Sequence, residues 1–354
     1  TSGKGETQTY FSYTHTTSKG IVPGNELKRN NLNLRITTAL SSKLSLDTKV
    51  TYFHQAVNNR VATGDDYSNP VRAILLQPGN ISLEQAKDFE YYDNEGYLRM
   101  NYWNPHSSGG ENPYWIINRI PMTESRDRVL GMASLKYEII KGLSLQIRSA
   151  IDYSADQFIQ SLYNDTYTIA DRGRYYTNRQ NDYELNNDIL MNFNITVGDI
   201  SISVSGGGNM LKQQWYGLYT SNGYALLKPN LFTVTNADNF SGSENGATKK
   251  LNSVYGFANI GYKNFLYLDL TARNDWSSTL PPGNWSYLYP SAGLTWIASD
   301  MLKSLPGWIT FAKLRVSLAR VGNDTDPYLV DPTFNYSSGG TYGYVGRSGI
   351  SPAA

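Results

Sequence analysis

The feature that most limits what this chain can fold into is a two-residue alternation that persists through very short turns. Leu32, Leu34, Ile36, Thr38 and Leu40 alternate with Asn31, Asn33, Arg35, Thr37 and Ala39. After Ser41-Ser42-Lys43 the period resumes, with Leu44, Leu46, Thr48, Val50 and Tyr52 set against Ser45, Asp47, Lys49 and Thr51. Successive side chains of a strand point to opposite faces, so each run has one apolar and one polar face. The unit recurs around Lys141-Gly142, Gly198-Asp199 and Lys263-Asn264, and around a longer Ser299–Gly307 connection that reads as holding a helical turn. With a single strand at about 7–17 the pattern predicts about eleven antiparallel strands.

The opposite ends of these strands read differently. Connections at about 56–125, 154–180, 211–250, 276–286 and 324–354 are long and rich in Asn, Asp, Gly, Ser and Tyr. Short turns on one side and long loops on the other is the asymmetry of a transmembrane barrel, whose periplasmic turns are short. A soluble domain has little use for a structureless loop of roughly 70 residues. Within that loop Ser82 and Gln85 have capping-box spacing, which predicts a short helix.

A soluble β-sandwich also shows alternation, and two magnitudes separate the readings. The runs extend over about 11–15 residues where soluble strands cluster near 5–6, and a tilted strand crosses hydrocarbon in about 9–11. A lipid-facing Arg or Lys near mid-bilayer costs roughly 2–4 kcal/mol. Arg35, Asp47, Lys49, Arg148, Asp152, Asp188, Asp269 and Arg273 all fall in the polar register, as residues lining a wet lumen would. Tyr137, Tyr262 and Trp296 near the short turns, and Tyr52 and Tyr153 at the far ends, occupy girdle positions.

Composition agrees. Charged residues are 17%, below the roughly 25% of soluble domains, whereas aromatics reach 13% with 28 Tyr. Mean hydropathy is −0.45 and no apolar run is long enough for a membrane helix. A net charge of +1 gives no electrostatic case for nucleic acid, and the absence of cysteine excludes disulfides and thiolate metal sites. Bacterial single-chain barrels have even strand counts, so about eleven strands read as half of a 22-stranded plugged barrel. Neither terminus resembles a signal peptide, and the whole of 1–354 reads as a partial barrel domain, a fragment of something longer.

Ser18-Lys19-Gly20-Ile21-Val22-Pro23-Gly24, followed by Lys28-Arg29, resembles the Glu-Gly-Ile-Val-Pro-Gly hairpin of SusC/RagA-type TonB-dependent transporters, with Lys19 in place of the common Glu. Thr271-Ala272-Arg273-Asn274-Asp275-Trp276-Ser277-Ser278 is similar to the Arg-x-Asp-Gly-Ser-Ser strand end of that family, with Trp276 replacing Gly. Tyr289–Trp296, then Leu314-Arg315 and Val321-Gly322-Asn323, resemble its next two strands in the expected order. The resemblance implies a bacterial outer-membrane importer: a plugged 22-stranded barrel, energised through a TonB-contacting segment outside this chain. It also implies a SusD-like surface lipoprotein as lid, and glycan or peptide as ligand.

No catalytic pattern stands out, so the chain reads as a non-enzyme without a cofactor. His15, His54 and His106 are too scattered for a metal site. Asp65-Asp66, Asp93-Asn94-Glu95 and Asn323-Asp324-Thr325-Asp326 offer acids for calcium without the full loop spacing and read better as solvated turns. Gly206-Gly207-Gly208 lacks the Lys-Ser/Thr of a P-loop and reads as close strand packing or a bend. Tyr102, Trp103, Tyr114, Trp115, Trp215, Tyr216, Trp276 and Trp285 are the candidate substrate contacts, because a flat ring can stack on the apolar face of a sugar. The expectation is import of an oligomeric nutrient, glycan ahead of peptide. A soluble glycan-binding β protein and a passive porin are the alternatives.

Overall fold

The alternation is realised as one antiparallel sheet in the computed structural model, which describes residues 2–4, 6–103, 110–166, 168–221, 223, 225–302, 306, 308–330, 334–337 and 349–352. The strands are β1 (Ser2–Lys4), β2 (Thr7–Lys19), β3 (Glu26–Ala39), β4 (Leu44–Asn58), β5 (Glu90–Tyr92), β6 (Leu98–Met100), β7 (Met122–Ile140) and β8 (Leu143–Thr166). They continue with β9 (Ala170–Val197), β10 (Ile200–Ser221), β11 (Ser241–Tyr262), β12 (Leu266–Ser277), β13 (Ser286–Ile297), β14 (Lys313–Ala319), β15 (Phe334–Ser337) and β16 (Gly349–Pro352). The main sheet runs β1-β2-β3-β4-β7-β8-β9-β10-β11-β12-β13-β14, sequential neighbours throughout apart from the excursion between β4 and β7. It therefore contains the eleven expected strands plus the three-residue β1, and it is not closed.

Cross-strand register shows how the two faces are built. One transverse row passes through Leu46, Leu135, Ile147, Ile189, Gly208, Val254, Asn274 and Leu288. The adjacent row passes through Asp47, Ser134, Arg148, Asp188, Asn209, Ser253, Asp275 and Tyr287. Burial is inverted relative to a soluble protein: Ile147 and Val254 are 52% and 58% exposed, Ser205 and Ser253 only 4% and 3%. Small polar side chains are crowded on the polar face while large apolar ones project from the other with no second layer over them. An apolar face of this extent needs lipid as its solvent. Among the described residues no helix is long and apolar enough to cross a membrane; the strands have both the length and the apolar face to do so.

The girdle residues fall into line. Tyr13, Leu32, Tyr52, Val129, Tyr153 and Tyr183 form one row across six strands on the apolar face. At the short-turn side Ile200, Tyr262, Leu266, Trp296 and Leu314 form another. From the turn at Leu143 to Tyr153 the tilted strand rises roughly 25 Å, about the height of an outer-membrane apolar band. Among the three consecutive glycines, Gly207 is held by contact: a Cβ there would stand 2.4 Å from the Ile189 carbonyl oxygen and 3.1 Å from the Tyr255 ring.

Two of the expected loops are strands instead. β8 and β9 have 24 and 28 residues and are joined by three, so most of 154–180 is a hairpin rising beyond the Tyr153–Tyr183 pair. β10 and β11, 22 residues each, shorten the 211–250 connection in the same way. Their outer faces change from Leu, Ile and Met to Asn, Gln, Thr and Arg above the tyrosines, so alternation of apolar against polar fades although pairing continues.

The described part of the long connection between β4 and β7 holds three short helices and contains the apolar core of the described residues. Helix α1 (Pro70–Leu75) starts at N-cap Asn69, whose side chain accepts from the Val71 amide, with Pro70 in the first turn. Helix α2 (Leu83–Lys87) has the expected capping box between Ser82 and Gln85. Helix α3 (Pro113–Arg119) is capped by Asn112. Ala73, Met100, Trp115, Ile116 and Ile120 pack with Met122, Leu162 and Ala170 from the far ends of β7–β9. The Ala298–Met301 turn, α4, supplies the helical turn expected between β13 and β14.

Candidate functional site

The polar face gathers the charged residues anticipated for it. Arg35, Asp47, Lys49, Arg148, Asp152, Asp188, Asp269 and Arg273 all lie in its register. Arg35 pairs with Asp47 at 2.8 Å, Arg148 with Asp188, and Arg273 with Asp275 at 2.7 Å. Asp269 accepts from Asn259 Nδ2 across the β11–β12 ladder. Exposed pairs of this kind contribute at most about 1 kcal/mol each, so their main effect is to fix side-chain positions.

Higher on the same face lies a cavity of about 480 Å³ lined by Arg126, Arg128, Asp152, Asp182, Glu184, Gln213, Trp215 and Lys249. Arg126 reaches Asp156 with Nε at 2.5 Å and Nη2 at 2.9 Å, and Arg128 makes the same two-pronged contact with Asp152. Lys249 binds Asp324 at 2.7 Å. Each cation thus has a carboxylate. Asp182 is held instead by Gln180 Nε2 at 3.1 Å and Glu184 by Gln213 Nε2 at 2.8 Å, with no ion pair of their own among the described residues. Trp215 stands directly opposite Asp182 in the ladder and is 39% exposed.

Nearer the far ends, Phe158, Tyr176 and Tyr219 form an aromatic ladder with ring centroids 5.5 and 5.7 Å apart, and the Arg60 guanidinium lies 5.4 Å above Phe158. They line a second cavity of about 680 Å³ with Asp66 and Arg174. Neither this ladder nor the Arg126–Asp182–Glu184 set was anticipated: Phe158, Tyr176 and Tyr219 fall in stretches that read as loops, 154–180 and 211–250, and Arg126, Asp182 and Glu184 stand between the loops and the clear alternation. The signal was present: Arg126 and Arg128, Asp152, Ser154 and Asp156, and Gln180, Asp182 and Glu184 keep the polar register.

The eight candidate aromatics separate. Trp215 faces the charged cavity. Tyr216 and Trp276, expected as loop aromatics that contact substrate, lie instead on strands in the opposite, apolar register. Trp115 is 0% exposed, its Nε1 donating to Thr166 Oγ1 at 2.9 Å, so it is a core residue with no face for a ligand. Tyr102 packs at the edge of that core, its ring 4.4 Å from Trp103; Tyr114 is half-buried on α3 and Trp285 lies exposed beside β13.

The acidic clusters are occupied by the protein's own donors. Asp65 pairs with Arg72, Asp66 accepts from the Ser68 amide, and Asp93 accepts from the Glu95 and Tyr97 amides and Arg99. These hydrogen bonds hold the Asp93 carboxyl below its ordinary range, the Tyr97 amide contributing most. Asp324 accepts from Lys249 and Ser277, tying the segment after β14 to β11 and β12. Among the described residues no three His, Cys, Asp or Glu side chains gather as metal ligands. His15 bonds Asn30 and Thr17, and His54 bonds Asp127; His106 lies outside the described residues. Glu111 differs: it is fully buried, Oε1 accepts from the Thr168 amide at 2.8 Å, and Oε2 has no partner among the described residues. Burial pushes its carboxyl up to about 8, reinforced by Asp165 and Asp171 and opposed by Thr168.

An inverted sheet with a charged inner face, aromatic girdles and tall strands on one side defines a bacterial outer-membrane β-barrel. Its fold is that of SusC/RagA-type transporters: solved structures of the RagAB peptide transporter superpose with a TM-score of 0.79 at 16% identity, over 99% of this chain and 39% of that one. The same importer in a closed-closed state gives 0.80 at 15% identity. The ferripyoverdine-type receptor FpvA of P. aeruginosa is more distant, at 0.51 and 11% identity over 82% of this chain. The chain thus spans about two fifths of the solved transporter's length. No family model matches it, and neither does any curated protein.

Proposed function

We propose that this chain is the early part of the barrel of a TonB-energised importer that takes up an oligomeric nutrient beneath a SusD-like surface lipoprotein. The observation that carries the reading is the inverted sheet whose polar face leads from the charged cavity to the aromatic ladder. A conduit for an oligomer needs such a wetted face. The ordered resemblance of the strand motifs to the SusC/RagA family supports the same reading.

For the ligand, the geometry favours peptide over glycan. Asp182 and Glu184 lack ion pairs of their own and sit beside the exposed ring of Trp215, an arrangement suited to an ammonium or guanidinium group. A neutral sugar could donate hydroxyl hydrogen bonds to those carboxylates but would bring no counter-charge. Of the aromatics once expected to stack on sugar, Trp115 is buried and Tyr216 and Trp276 face away. No catalytic step and no cofactor enter the proposal.

The test is uptake of a labelled Lys-containing oligopeptide and of a neutral oligosaccharide by cells carrying the full-length protein, with and without a protonophore. Energy-dependent peptide uptake, reduced about tenfold in Asp182→Asn/Glu184→Gln, is expected. Uptake insensitive to the protonophore would leave a passive porin. Recovery of the full-length protein in the soluble fraction without detergent would remove the barrel.

A further inference from the structure

The outer face carries one arrangement that transport does not use. Lys212 of β10 and Lys250 of β11 stand directly opposite each other in the ladder, in the register of Met210 and Val254, so both point to the lipid side. Like charges directly opposite in a sheet destabilise it. Neither lysine has an ion pair among the described residues; the Lys212 ammonium lies 5.8 Å from the centre of the Tyr183 ring. Sheet packing alone gives no reason for two cations there.

Their height supplies one. A tilted strand crosses the hydrocarbon in about 9–11 residues, and Lys212 and Lys250 stand about a dozen residues from the short turn of their own strands. Trp276 lies at the neighbouring position of β12, in the row of Met210 and Asn252. The lysines are therefore at the outer headgroup level, flanked by the interfacial rings Tyr183 and Trp276. Below them on the same face come Met210 on β10 and, one step past Asn252, Val254 on β11, both exposed apolar side chains.

We propose that Lys212 and Lys250 bind the phosphate of an outer-leaflet lipid headgroup, with the acyl chains of the same molecule lying along Met210 and Val254. The occupant must be an amphiphile, because charge and apolar surface follow each other along one face. A soluble anion would leave the lower half uncovered. The inference depends on where the barrel sits in the membrane and is independent of what it imports.

The test uses the full-length protein in phosphatidylcholine nanodiscs with added lipid A, bound lipid being counted by native mass spectrometry. Lipid A retention should fall about tenfold in Lys212→Glu/Lys250→Glu and persist in Lys212→Arg/Lys250→Arg, with heat-modifiable gel migration showing that both variants fold. Lipid A stripped of phosphate should bind the wild-type protein no better than the Glu variant binds intact lipid A. Equal retention by the wild-type and Glu variants, or equal binding of the dephosphorylated lipid, would overturn the proposal. Uptake of the labelled peptide is expected to be unchanged in the Glu variant.

Discussion

The membrane band and the layer built on the connection between β4 and β7 solve the same problem in opposite ways. In the band, Ile147, Ile189 and Val254 face outward and Ser205 and Ser253 are packed away. In the layer, Trp115, Ile116 and Ile120 are buried around helices with ordinary caps. The band relies on lipid to cover its apolar side chains, so its stability comes from ladder pairing and the match to the bilayer. The layer follows the rules of a water-soluble domain, with a core, caps and one costly buried carboxyl. One chain therefore obeys two solvents, and the boundary is the tyrosine row through Tyr52, Tyr153 and Tyr183.

The sharpest way to separate the two regions is to damage one and watch the other. Trp115→Ala should cost about 3–5 kcal/mol within the layer, by cavity formation and by leaving Thr166 without its donor. Hydrogen exchange over 60–121 should accelerate while heat-modifiable migration of the barrel persists; simultaneous loss of both would show that the regions are one cooperative unit.

A smaller effect is expected from the reverse experiment. Ile189→Arg puts a charge on the lipid face and should cost roughly 2–4 kcal/mol in urea titrations of the full-length protein refolded into lipid. Exchange protection in the layer should be retained. If the arginine is tolerated without loss, the apolar face does not meet hydrocarbon.

The last effect is spread over a pH range and concerns Glu111. Its carboxyl is raised by burial to about 8 from an ordinary 4.5, so the folded layer holds a proton that the unfolded chain releases. The associated stability is fully present below about pH 4.5, falls as pH rises, and is lost through about pH 8. Protection factors in the layer, with the intrinsic pH dependence of amide exchange divided out, should thus fall from acid to alkaline conditions, and Glu111→Gln should flatten that profile. An unchanged profile in that variant would assign the dependence to other groups.

Sequence alone showed the band more fully than the layer, for a physical reason. A lipid-facing strand announces itself by strict alternation, and eleven strands with their polar register follow from residues such as Leu34, Arg35, Ile147 and Arg148. Above the tyrosines both faces meet water, alternation weakens, and Gln157, Arg179 and Glu244 read as loop although they pair. Trp115 shows the opposite failure: a Trp in a polar stretch reads as a ligand platform, and only tertiary packing reveals it as core. Tyr216 and Trp276 were misread more simply, since register alone decides which face they take. The capping box at Ser82 was legible because it is wholly local.

The hairpin of β8 and β9 gives the molecule stature. Its strands continue for some 13 residues past the Tyr153–Tyr183 pair, which at barrel tilt lifts the rim roughly 30 Å above the bilayer. That rim is stiffened by backbone pairing that continues down into the membrane band. On the proposed function, an oligomer would be captured at that height, clear of the bilayer surface.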